Sequence, residues 1–377
     1  MYIFKDIPVE LIFYWFPFVS IFARLLGLGQ LNYDFFWVPV FALTLFLSYG
    51  VRLRWKYILL VLIVGGLILL KYGLPLIFEK RVQFHPWMMD LKWVAYFIFA
   101  ILWIGNYGWP SQRIIYKGSL FFSKLYIIWT LYIIASGQLS REGILMESNY
   151  DGFMILMGLC WIDKCKEGRY DGLIFIIATF LTFSRTGFIS LSVLLLYRVT
   201  RRNILYLLPV ITVALIIAYF ALMVRGMDSA GNMDRFVFFS QTYVYFAHTS
   251  IWNVLFGSAP GVSLDMPVVS GFEYFISNFE EGHGINGIYP FYFHSTYLRL
   301  AMTWGVIGSL AYLLFFVYKF LTSKLMPMKM FCLLVLVQSI SLSTMTLQNV
   351  SILFFMMLFT LISIENKRDR LISILMR

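Results

Sequence analysis

The chain has 377 residues, a net charge of +11, 60% hydrophobic and 19% aromatic residues, and only 13% charged residues. A soluble domain carries about 25% charged residues, so a soluble globular protein is excluded and an all-α, polytopic integral membrane protein is expected. The positive charge does not mark a nucleic-acid binder, because Lys and Arg fall in short clusters between apolar runs and form no continuous basic face.

About twelve transmembrane helices can be drawn, near residues 8–28, 34–50, 57–72, 92–106, 119–136, 150–163, 171–184, 187–198, 203–223, 295–318, 330–346 and 349–365. The first run holds Glu10 and Arg24 and lacks a small-residue cleavage site, so it reads as a span and not as a signal peptide. The runs 150–163 and 187–198 are short, and are expected to tilt, to extend into loops or to stop short of a full crossing. Residues 1–377 then form a single transmembrane domain.

With the N-terminus inside, 19 of the 30 basic residues fall on the cytoplasmic side, eight fall outside and Arg24, Lys124 and Arg299 lie within spans. Every internal loop is basic, which orients the chain with both termini cytoplasmic. Cys160, Cys165 and Cys332 are too few and too scattered for a disulfide framework.

One connection stands apart. Residues 224–294 form an external loop far longer than the roughly 15 residues beyond which loops are usually functional or disordered. It is rich in Phe, Tyr, Trp and Ile, as amphipathic helices folded back on a membrane surface would be, and Gly257, Pro260, Gly261, Gly282, Gly284 and Gly287 mark turns.

Outside the second external loop, the external basic residues are Arg141, Arg185, Arg225 and Arg235, all arginine. Arginine offers a planar fork that binds phosphate oxygens bidentately and keeps its charge. Each also has a plainer reading. Arg141, in Ser140-Arg141-Glu142-Gly143 ahead of Asn149, can be an ordinary interfacial residue. Arg185, in Ser184-Arg185-Thr186-Gly187, can snorkel beside a helix cap. Arg225 can end a span, and Arg235 can be pinned to Asp234 or Asp228. His294 opens the run 295–318, where a titratable group is costly and usually functional. Gly305 and Gly308 are expected to let another helix approach closely, with His294 then facing a protein-lined cavity. Arg299 lies about 140° from His294 on an ideal helix and need not share its face. Glu280-Glu281-Gly282-His283 lacks the second His of a helical metal site. His85 and His248 have no constellation, and no phosphate-binding or dinucleotide loop, nucleophile elbow or glycosidase carboxylate pair is present. No metal and no cofactor are expected.

The spacing His294-Ser295, nine residues, Gly305-Val306-Ile307-Gly308 resembles the signature of the O-antigen polymerase (Wzy-type) and O-antigen ligase family. The stretch around Arg141, Gly143 and Asn149 is similar to a family element, except that the proline of its Asn-Pro-Asn is missing here. Ser184-Arg185-Thr186-Gly187 resembles another, and Arg225 or Arg235 with Trp252, Leu255, Gly257 and Gly261 a third. The resemblance covers about residues 136–320. It implies a fold like the metal-independent C-type glycosyltransferases in a bacterial inner membrane. The substrate would be an undecaprenyl-diphosphate-linked oligosaccharide at the outer face, polymerised into O-antigen or a related surface polysaccharide. His294 would be the catalytic base, with Arg141, Arg185, Arg225, Arg235 and Asn149 binding diphosphate or sugar. Partners would be the lipid-linked glycans, membrane lipids and a chain-length regulator. Two alternatives stay open: an O-antigen ligase transferring the glycan to lipid A core, and a lipid-linked oligosaccharide flippase or other transporter.

Overall fold

A computed structural model gives the fold and describes residues 4–29, 31–48, 55–137, 143–200, 234–273, 276, 287–345 and 348–375. Among these the chain is all-helical, with no strand element. The helices are α1 (Phe4–Leu25), α2 (Asp34–Ser48), α3 (Trp55–Ile68, continuing through a π turn at Leu69–Gly73 into Leu74–Phe78), α4 (Phe84–Tyr107), α5 (Gln112–Ala135), α6 (Ser148–Leu159), α7 (Asp171–Leu181), α8 (Arg185–Thr200), α9 (Asp234–His248), α10 (Ile251–Phe256), α11 (Thr296–Thr322), α12 (Met326–Gln338) and α13 (Gln348–Leu375). Among the described residues, five stretches are long and apolar enough to cross a membrane: α1, α4, α5, α11 and residues Asn349–Arg368 of α13. The expected span 203–223 lies outside the described residues.

Several boundaries differ from the sequence reading, each for a local reason. α4 starts at Phe84, eight residues before the expected 92, because Pro86 is tolerated in a first turn. This brings Asp90 out of a supposed loop and into the helix. α6 has 12 residues, about 18 Å, and all but Asn149 are buried. It is a central strut packed on every side. Ser119 of α5 donates to the carbonyls of Met154 and Ile155 at 2.9 and 3.0 Å, and a Cβ at Gly158 would collide with the same serine.

The largest departure is α11, expected as one span over 295–318. Gly305 takes φ 69° and ψ −175°, which breaks the helix. The two halves fold back on each other. Ser309 Oγ donates to the carbonyl of Tyr297 at 3.3 Å, and the rings of Tyr297 and Tyr312 are 5.8 Å apart. On a straight helix twelve residues would separate the first pair by about 18 Å. Residues 296–304 are therefore a short half-helix lying beside the start of 306–322. The close approach expected at the glycines is real at Gly305, where a Cβ would strike the carbonyl of Leu255 in α10. It is not real at Gly308, whose near neighbour is Trp304 of its own helix.

The described part of the long loop is packed, not loose. Phe238 and Tyr245 of α9 join Leu264, Phe272, Phe293 and Met302 in a second hydrophobic core over the α11 half-helix. Gln241 ties the loop across: its amide donates to the Pro267 carbonyl at 2.7 Å and its oxygen accepts from Val269 N–H at 2.8 Å. Gly257 and Gly261, both at positive φ, anchor this unit to the bundle. A Cβ at Gly257 would run into the backbone of Thr303, and one at Gly261 would lie 2.6 Å from Trp87 Cβ and 2.9 Å from the Gln83 carbonyl.

The charge sorting survives folding. Arg113 and Lys117 pair with Glu167, Arg198 with Asp163, and Lys319 with Glu365. Tyr197 packs on Phe320 at 5.4 Å, joining these groups at one end of the bundle. Segments assigned to the external side meet at the other end.

Replacing Gly257 by Ala should destabilise the fold by about 2 kcal/mol or more, through positive φ and backbone overlap together. Gly66→Ala, at a helix-interior position with open space around it, should be neutral or slightly stabilising. Thermal unfolding in detergent would show this. Equal midpoints for the two variants would refute the docking role of Gly257.

Candidate functional site

α12 has only 13 residues, about 20 Å. The expected span to residue 346 is instead a helix ending at Gln338, followed by a non-helical segment, Ser339–Met345. Buried non-helical backbone must find partners for its polar groups. Here the α11 half-helix supplies them. Thr296 donates twice to the Leu342 carbonyl, from N–H at 3.0 Å and from Oγ1 at 2.7 Å. Ser295 Oγ donates to the Ser339 carbonyl at 3.0 Å and caps its own helix by accepting from Leu298 N–H. In return, Ser343 Oγ donates to the Phe293 carbonyl at 3.0 Å. Tyr312 OH and Ser339 Oγ share a hydrogen bond of 2.9 Å.

His294 lies between Phe293 and Ser295, both gripped by this segment. It is partly buried, and its ring meets Phe238 of α9 edge-on at 5.5 Å. The imidazole thus has an aromatic cap on one side, and its two neighbours in sequence are hydrogen-bonded to the 339–343 segment. It opens a half-helix, not a complete span as expected.

The same segment reaches two other elements singled out in the sequence. Thr186, next to Arg185, hydrogen-bonds Ser341. Tyr150, next to Asn149, accepts through its hydroxyl from Ser343 N–H at 3.4 Å. Residues 339–343 therefore touch the neighbours of His294, Arg185 and Asn149. Arg185 is the first residue of α8 and is partly buried; Ser184 caps that helix by accepting from Gly187 N–H at 3.0 Å. Phe183, at φ 48°, makes the tight corner that aims the turn. The capping half of the plainer reading holds for Ser184, with the partly buried Arg185 beside it.

Arg141, Arg225 and the Glu280–His283 stretch lie outside the described residues. Arg235 is placed by its backbone in the first turn of α9, the helix that carries Phe238. The element after Arg141 is described. Asp151 of α6 is fully buried, and its Oδ2 accepts from the N–H groups of Ile144 and Leu145. A Cβ at Gly143 would collide with that carboxylate. Gly143 thus has a local cause: glycine lets the chain wrap the Asp151 carboxylate at the head of α6. Gly257 and Gly261, expected as turns, are also docking points of the loop.

Two buried charged residues lie near the site, neither among the expected ligands. Asp90 of α4 and Arg299 of the α11 half-helix are buried, with Oδ1 and Nη2 3.7 Å apart. Arg299 also donates to the Met89 carbonyl at 2.9 Å, and Asp90 Oδ2 takes Gly261 N–H at 3.5 Å. Between them is a cavity of about 10 Å³, the size of one water, also lined by Trp93, Thr296 and Thr303. Lys71 covers this region from α3, donating to the Phe256 carbonyl at 2.9 Å. An ionisable residue inside a span was a sufficient signal for Arg299; Asp90 was hidden by the misplaced start of α4.

No family model, curated protein or solved structure matches this chain.

Arg299→Ala should cost about 3–5 kcal/mol, because it leaves Asp90 buried and uncompensated. The double variant Asp90→Leu/Arg299→Met should recover most of that loss. Equal destabilisation of single and double variants in thermal unfolding would show that the charge pair is not the cause.

Proposed function

We propose that the chain is an integral-membrane glycosyltransferase of the O-antigen polymerase type, with twelve spans and both termini cytoplasmic. The observation that supports it best is the convergence on residues 339–343. The residues next to His294, Arg185 and Asn149 all bond to that one segment, although His294 lies more than 100 positions from the other two in sequence. The motif resemblance of His294-Ser295 and Gly305 supports the same reading.

In this proposal the His294 imidazole takes the proton from an acceptor sugar hydroxyl, a general-base role to which histidine is suited. The hydroxyl oxygen attacks the anomeric carbon of the donor glycan. A glycosidic C–O bond forms as the C–O bond to undecaprenyl diphosphate breaks, and the diphosphate leaves with the electron pair. Arg185, joined by Arg141 and by Arg225 or Arg235, stabilises that developing charge. The hydroxyls of the 339–343 segment lie next to the residues that flank His294, and the aromatic loop supplies faces for sugar stacking.

The decisive test is glycan profiling of a deletion strain complemented with wild-type, His294→Ala or Arg185→Lys protein at matched expression. Deletion should leave a single repeat unit on lipid A core. His294→Ala should behave like the deletion, with a loss of about 10²–10⁴-fold in polymerisation rate. Arg185→Lys should retain part of the activity, keeping charge but losing the bidentate fork. Bare core with polymer accumulating on the lipid carrier would identify a ligase instead. An unchanged ladder with His294→Ala would remove the base from the mechanism.

The proposed orientation has its own reporter. Cys165 is partly exposed while Cys160 and Cys332 are buried. A membrane-impermeant maleimide should label Cys165 in inverted vesicles and not in intact spheroplasts. The reverse pattern would invert the topology and place His294 inside.

A further inference from the structure

The end of the bundle opposite His294 carries a groove that plays no part in glycosyl transfer. It has a volume of about 560 Å³, and its rim holds Lys5, Arg113, Lys164 and Lys166 against one carboxylate, Glu167. Glu167 is already shared: Arg113 lies 2.7 Å and Lys117 3.2 Å from its two oxygens. The Arg113 hydrogen bond holds this carboxyl below the usual carboxylate range. Asp163 is likewise taken by Arg198, and Asp6 accepts from Ser111 N–H at 2.6 Å. The nearby acids are thus committed, and the groove keeps a net positive field from Lys164 and Lys166.

The level of the groove narrows what it holds. It opens where α4 ends and α5 begins, two helices of 24 residues each, about 36 Å long. Such helices cross the hydrocarbon and end among the headgroups. Aromatic rings mark the same level. Trp109 lines the groove, Phe4 and Tyr107 pack at 5.8 Å beside it, and Tyr170 lies exposed under Arg169. Aromatic belts of this kind lie at the membrane–water interface.

We propose that this groove binds the phosphate headgroup of an anionic phospholipid, with Lys164 and Lys166 as its principal ligands and Trp109 and Tyr107 against the glycerol and upper chain. A soluble anion shares the phosphate chemistry, but a cationic groove at headgroup depth meets lipid phosphate at far higher local concentration. The site does not depend on the glycosyltransferase reading.

The test is native mass spectrometry of the full-length protein taken from nanodiscs of mixed phosphatidylglycerol and phosphatidylcholine. Wild type should retain phosphatidylglycerol selectively. Lys164→Gln/Lys166→Gln should lower that retention on the order of thirtyfold, at about 1 kcal/mol for each lysine near a charged surface, with phosphatidylcholine unchanged. Lys164→Arg/Lys166→Arg should restore it, and Lys80→Gln, at the other end, should have no effect. Equal retention by wild type and the glutamine variant overturns the proposal, as does an equal loss with Lys80→Gln. Displacement of the lipid by inorganic phosphate alone would reassign the groove to a soluble anion. Should the glutamine variant fail to fold, Cys165, which lies in the groove, carries the test in wild type. Phosphatidylglycerol nanodiscs should slow its maleimide labelling relative to phosphatidylcholine, and equal rates would refute lipid occupancy.

Discussion

The segment Ser339–Met345 must hold irregular backbone inside a helical bundle, and that constraint governs the rest of the candidate site. Backbone N–H and C=O groups away from water cost free energy unless paired. A helix pairs them internally; an interrupted helix cannot. The chain meets this demand with hydroxyls on both sides of the gap: Ser295, Thr296 and Thr186 approach from neighbouring elements, and Ser339, Ser341 and Ser343 answer from within. Because each bond crosses between elements, satisfying the backbone also brings the ends of α6, α8, α11 and α12 together.

The break at Gly305 is the partner of that interruption. A straight α11 would carry Tyr297 roughly 18 Å from Ser309 and leave the 339–345 backbone without donors. The fold-back lays residues 296–304 against the segment, and the backbone around Leu255 and Phe256 of α10 packs into the corner so made. Polar groups are thereby enclosed by protein, the condition under which non-helical backbone is tolerated at membrane depth. The buried Asp90–Arg299 pair braces the same half-helix from α4. The aromatic core built on α9 seals it from the other side. His294 is held by its two neighbours in sequence, which leaves the ring itself against Phe238.

At the opposite end the forces are long-range and solvent-exposed. Ion pairs such as Arg113–Glu167 contribute little each to stability, and their value is in the field they leave behind. The molecule is polarised as a result. One end has a polar cluster enclosed by aromatic and aliphatic packing; the other has an open, cationic rim.

Much of this could be read without a structure. Mean hydropathy and charge placement were enough for an all-helical membrane protein with its basic loops sorted to one end, because hydrocarbon and surface potential act on each residue locally. The weight given to His294, Ser184–Gly187 and the aromatic loop also came from local pattern. The break at Gly305 and the end of α12 at Gln338 did not. Ser and Thr score near neutral on any hydropathy scale, so Ser339, Ser341, Ser343 and Thr344 passed as part of a span, and a glycine inside an apolar run gives no sign of its φ. Pro86 could as well have ended a loop as begun a helix, which concealed Asp90. By itself the sequence determined which segments are apolar enough to prefer lipid and where the charges cluster along the chain. Tertiary structure decided which helices are interrupted and what meets in the gaps, because the partner of an unpaired backbone group is chosen by contact across the fold and not by its neighbours along the chain.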